Sequence, residues 1–125
     1  MLALYRNCEV TDEIIDSFVQ RYASFEPPYQ MADVARLVSA LAKELPIRRV
    51  YLFGSYARGD QRFSSDIDLY VVRDRGFTFS DANIFRDALE RVFRVDSDIV
   101  YSLDGCPRAF YESLAKDAVM LYDRK

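Results

Sequence analysis

Apolar residues recur at helical spacing twice before the first strand-like run. Between Asp12 and Phe25, the residues Ile14, Ile15, Phe18, Val19, Tyr22 and Phe25 share one face, the pattern of an amphipathic helix. Pro27-Pro28 closes it, because proline has no N–H to donate and disfavours helix in the residue before it. Gln30 to Leu45 repeats the pattern with Met31, Val34, Leu37, Val38, Leu41 and Leu45, and stops at Pro46. Arg49 to Phe53 is β-branched and aromatic, so it reads as a strand ending at Gly54. Ser55 to Ala57 then begins a short helix. Ile67 to Val72 is a second strand, and Ser80 to Phe93 a helix turning Ile84, Phe85, Ala88, Leu89 and Val92 inward. Ser97 to Tyr101 is a third strand. Pro107 to Lys116 is a helix with proline in its first turn, and Ala118 to Tyr122 a last short strand.

The order is α-α-β-β-α-β-α-β. A short polar link holding Gly59 joins the first two strands, and a helix joins the next two. This predicts an α+β domain in layers, a small mixed sheet packed against helices. The 125 residues suffice for one such core. Residues 1–28 are expected to form an N-terminal helical extension and 29–125 the domain proper. The apolar stripe of the extension has two uses: packing on its own domain, or meeting a partner or a second copy in a homo-oligomer.

Composition narrows the function. Half the residues are hydrophobic and 14% aromatic, which argues against disorder. A net charge of −3 and a pI of about 5.0 argue against a nucleic-acid binder, whose surface is usually basic. No apolar run approaches the ~20 residues of a membrane span. The first residues lack a signal peptide's charged start and long apolar stretch. Cys8 and Cys106 are isolated thiols. Together these predict a cytoplasmic protein. There is no histidine, which excludes a Ser-His-Asp triad, an H-E-x-x-H zinc site and histidine acid–base chemistry. Oxygen-ligated Mg²⁺ or Mn²⁺ is the metal chemistry that remains.

The candidate chemistry lies around the second strand. Gly54-Ser55 ends the first apolar run. Such a turn lets a phosphate approach free backbone N–H groups, although an ordinary strand-to-helix turn with Ser as N-cap has the same composition. After ten residues comes Asp66-Ile67-Asp68, leading into Leu69-Tyr70-Val71-Val72. Alternation on a strand puts both carboxylates on one face. Two acids side by side repel unless a cation sits between them. A third acid opens the next run, where Asp98 directly precedes Ile99-Val100 and Asp96 shares its parity. Arg58, one helical turn from Ser55, is placed either to reach a phosphate or to pair with Asp60 or a nearby acid; Arg62 has the same ambiguity. Arg48, Arg49, Arg73 and Arg75 read as solvated charges flanking strands.

The joint pattern, Gly54-Ser55, ten residues, Asp66-Ile67-Asp68 and a later acid at Asp98, resembles the DNA polymerase beta-type nucleotidyltransferase superfamily. The Gly-Ser-x-Ala-Arg-Gly form and the C-terminal Ala118-Val119-Met120-Leu121-Tyr122 look like its smallest members. Those are the minimal nucleotidyltransferases, typically the antitoxins of HEPN-domain toxins. The resemblance covers roughly Met31 to Tyr122. It implies that Asp66, Asp68 and Asp98 hold the metals that bridge ATP phosphates, and that Asp98 helps activate the attacking hydroxyl. It also implies that Gly54 and Ser55, with Arg58, bind the nucleotide. The expected reaction moves AMP from ATP to a hydroxyl, a tyrosine of the cognate toxin, and so silences a toxin RNase. Two rivals stand beside it: transfer to a small molecule of aminoglycoside type, and a steric toxin-binding module with little catalysis. A chain that ends soon after this core is expected to leave the wall behind the acceptor to a partner or a second subunit.

Overall fold

The computed structural model describes residues 13–22, 29–62 and 65–124. The expected helix start at Asp12, its end at Phe25 and the Pro27-Pro28 stop lie outside the described residues. Residues 13–21 are helical and form α1. Then follow α2 (Met31–Glu44), β1 (Ile47–Phe53), α3 (Gly54–Arg58), β2 (Ile67–Arg73), α4 (Phe79–Phe93), β3 (Ser97–Val100), α5 (Arg108–Asp117) and β4 (Val119–Asp123). None of these helices is long and apolar enough to cross a membrane.

The long helices begin where side chains satisfy free backbone N–H groups. Gln30 donates its N–H to Asp33 Oδ2 at 2.9 Å before α2. At α4, Thr78 Oγ1 accepts from the Asp81 N–H at 3.2 Å, while Asp81 accepts from the Thr78 N–H at 2.8 Å. This reciprocal box starts the helix at Phe79, one residue ahead of the expected Ser80. Pro107 is the N-cap of α5 and not part of its first turn.

The four strands form one sheet in the order β3-β2-β1-β4. β1 runs antiparallel to both β2 and β4, and β2 runs parallel to β3. The mixed sheet follows from the connections: a short link returns β1 into β2, whereas a parallel neighbour requires the α4 crossover. β1 starts at Ile47, two residues earlier than its β-branched pattern indicates, because Ile47 pairs with Arg73 and is fully buried.

One face of the sheet carries Val50, Leu52, Ile67, Leu69 and Val71, all fully buried. They share one core with Leu37 and Leu41 of α2 and with Phe85 and Leu89 of α4. Ile15 and Phe18 of α1 are buried in the same core, so this part of the N-terminal stripe packs on its own domain. Alternation sends Tyr51, Phe53, Asp68, Tyr70 and Val72 to the opposite, half-buried face. There α5 touches the sheet through Phe110, whose ring meets Phe53 edge-on at 5.4 Å between centroids.

Candidate active site

β1 ends in a turn that only glycine fits. Gly54 has φ +73°, a left-handed backbone in which a Cβ is strained. A Cβ built on Gly54 would also overlap the Asp68 carboxylate. The close approach is therefore between the turn and the acid itself. Ser55 is not the N-cap of α3; Phe53 is, and it has no side chain that caps. The Ser55 carbonyl instead closes the other end of the short helix, accepting from the Gly59 and Asp60 N–H groups at 2.9 and 3.1 Å.

Asp68 lies at the end of the β1–β2 ladder, opposite Phe53. Across β2 the parallel register sets Asp98 directly beside it. Residues in register share a face, so the two carboxylates project together. Asp66 precedes β2 with the same parity and is exposed. The electrostatics agree with this placement. Burial, then Asp98, then Asp66 push the Asp68 carboxyl up from 3.8 to about 6, against an opposing pull from Arg58. Asp96 lies just before β3, where its carbonyl accepts the Ile67 N–H at 3.0 Å. It is not among the groups that act on Asp68.

Among the described residues no three acidic or cysteine side chains converge closely enough to grip an ion unaided. Like charges repel, and among the described residues one guanidinium, that of Arg58, acts on Asp68. The donors fit a hard divalent ion: they are carboxylate oxygens, two of them exposed, and the polyphosphate of a nucleotide would supply further oxygens.

Arg58 is held by acids on both sides. Its Nε donates to Asp60 Oδ2 at 3.2 Å, and its Nη1 lies 3.8 Å from Asp117 Oδ2. Sequence reasoning offered Asp60 or a nearby acid without naming Asp117, which occupies the last position of α5. Arg62 contributes its backbone N–H to Ser65 Oγ at 2.7 Å. Among the other arginines, Arg49 pairs with Asp123 at 3.1 Å, and Arg73 lies 5.9 Å from the centroid of the Tyr101 ring.

Comparison with known proteins bears on the family and the fold. A protein of Methanocaldococcus jannaschii assigned as a protein adenylyltransferase is 52% identical over 33 residues, covering 26% of this chain. The chain thus spans about a third of the length of that curated relative. A solved structure assigned as a minimal nucleotidyltransferase is 31% identical with a TM-score of 0.60, covering 75% of this chain and 98% of the other. A toxin–antitoxin structure with AMP-PNP shares the fold at a TM-score of 0.57 and 22% identity, covering 73% of this chain and 74% of the other. Residues 35–125 match the family model described as polymerase beta, nucleotidyltransferase. With its Gly-Ser turn set against acids on adjacent strands, this chain belongs to the polymerase beta nucleotidyltransferase family.

Proposed function

We propose that this chain is an antitoxin that transfers AMP from ATP to a protein hydroxyl, a tyrosine of a cognate HEPN-domain toxin, in the cytoplasm. The observation that carries the reading is the β2–β3 register, which sets Asp98 beside Asp68 next to the Gly54 turn. Residues 29–125 make up the transferase domain, and 1–28 extend it.

Each residue has a separable task. Asp66 and Asp68 hold the divalent ions, Mg²⁺ in this reading, with Asp98 completing the set. Bound there, the ions would neutralise the charge that develops on the phosphate oxygens. Gly54 leaves room for the Asp68 carboxylate and, with Ser55 and Arg58, binds the β- and γ-phosphates. Asp98, on the side of Asp68 away from Gly54, orients the acceptor hydroxyl and accepts its proton. In-line displacement requires this order, since the attacking and leaving oxygens stand on opposite sides of the phosphorus.

The toxin reading is supported by the likeness to the toxin–antitoxin fold and by the adenylyltransferase relative. The test incubates the chain with ATP, Mg²⁺ and a HEPN-domain protein encoded beside it. The expected result is an AMP mass increment on a tyrosine of the neighbour, absent with the triple Asp66, Asp68, Asp98→Asn variant. Adenylylation of an aminoglycoside instead would favour the small-molecule reading. Binding and silencing of the neighbour without modification would favour the steric module.

A further inference from the structure

We propose that Asp117, at the end of α5, is a positioning residue that holds the Arg58 guanidinium at the phosphate turn. The inference rests on the reading of Gly54-Ser55 as a polyphosphate site.

The two acids around Arg58 are not equivalent. Asp60 is 62% exposed and lies two residues beyond Arg58, at the end of the same short helix. Asp117 is 18% exposed and belongs to another element, so its pairing with Arg58 ties α5 to α3. Among the described residues, α5 is otherwise held by buried Leu114, by Phe110 against Phe53 and by the Tyr111 hydroxyl donating to the Leu103 carbonyl. Asp117 also breaks a local rule. It occupies the last position of its helix, where backbone carbonyls make a negative end and a carboxylate is disfavoured. A departure of this kind from local preference is expected where a tertiary contact or function compensates. Arg58 supplies that contact.

The arrangement prepares the guanidinium. A long arginine arm loses rotamer freedom each time it grips a phosphate. A carboxylate that already holds the arm takes that loss at folding and not at binding. Asp60, the exposed partner on the Nε edge, gives way to phosphate oxygens, while Asp117 stays beside Nη1 as an ion pair at 3.8 Å. The planar fork has donors enough for both. Arg58 already acts on the neighbouring Asp68, so the held guanidinium stands within electrostatic reach of the acids.

The test is calorimetric binding of Mg²⁺·ATP and of Mg²⁺ with inorganic tripolyphosphate to the full chain. Asp117→Asn is expected to weaken both by about tenfold, the lower end of the cost of losing a group that orients a ligand. Asp117→Glu restores most of the loss, and Asp60→Asn causes none. In an Arg58→Ala background Asp117→Asn adds nothing. Equal or tighter binding by Asp117→Asn overturns the proposal. An equal loss in the Arg58→Ala background also overturns it, because Asp117 would then be a prop for α5. Wild-type chain that binds neither ligand removes the phosphate-site reading, and this inference with it.

Discussion

The two ends of the sheet carry similar numbers of charged groups and treat them in opposite ways. At the end formed by the start of β1 and the finish of β4, opposite charges answer each other. Arg49 meets Asp123 at 3.1 Å. Arg124 Nη2 reaches the carbonyls of Ala42, Lys43 and Leu45 at 2.9, 3.2 and 2.9 Å, closing the free end of α2. At the other end three acids gather around β2 and β3, and among the described residues Arg58 is the one cation acting on Asp68. The first end is built for stability and needs nothing more. The second has excess negative charge, the condition that a divalent ion and a polyphosphate relieve together.

The largest expected effect comes from removing that charge. Asp66→Asn with Asp68→Asn should lower nucleotidyl transfer by ~10³-fold, the upper range for losing groups that organise transition-state charge, with the fold retained by circular dichroism. Within the same site Asp98→Ala should abolish transfer and Asp96→Ala change it little, since the register puts only Asp98 beside Asp68. The opposite ranking would move the third acid to Asp96. Gly54→Ala comes next. Its methyl group must displace the Asp68 carboxylate and adopt a left-handed backbone at a cost of about 1–2 kcal/mol. Both activity and melting temperature should fall.

At the paired end the pattern reverses. Arg124→Ala leaves the last carbonyls of α2 without their donor, at about 1–3 kcal/mol. It should lower the denaturation midpoint while transfer per folded molecule stays the same. A loss of transfer at fixed stability would show that the two ends are coupled.

The smallest expected effect is a pH signature of the crowded end. The Asp68 carboxyl rises from 3.8 to about 6 on folding, so the folded chain holds this proton more tightly than the unfolded one. The penalty of burying this carboxylate, with the repulsion from Asp98 and Asp66, is absent below pH 3.8, grows between there and about 6, and is complete above. Without metal, Asp68→Asn should therefore melt a few degrees above wild type at pH 7 and match it at pH 4. Equal melting at both pH values would mean that neither burial nor the neighbouring acids penalise the Asp68 carboxylate.

The helices and strands were legible because each buries one face. The spacing of Val34, Leu37, Val38 and Leu41 named α2 without any tertiary information, and all four are fully buried. The acids were legible because Asp66 and Asp68 interrupt an apolar run. Other features were not, and each depends on contacts between elements distant in the chain. The start of β1 at Ile47 is set by its pairing with Arg73. The need for glycine at Gly54 comes from Asp68 in the next strand, whereas the turn alone suggested room for phosphate. Asp117 fell just beyond the helix expected over Pro107 to Lys116, and its pairing with Arg58 appears only once α5 is packed against α3.

The parallel pairing of β2 with β3 also has a kinetic consequence. β1 and β2 can zip together through their short link, but β3 reaches β2 only after the α4 crossover has formed, and contacts between distant parts of the chain are slow to close. That closing step is also the one that brings Asp98 against Asp68. The Asp68–Asp98 pairing thus belongs to the late-closing part of the sheet, and a divalent ion held there should speed refolding as well as steady the finished fold. In stopped-flow refolding, Mg²⁺ should accelerate the slow phase of wild type and leave that of Asp68→Asn unchanged.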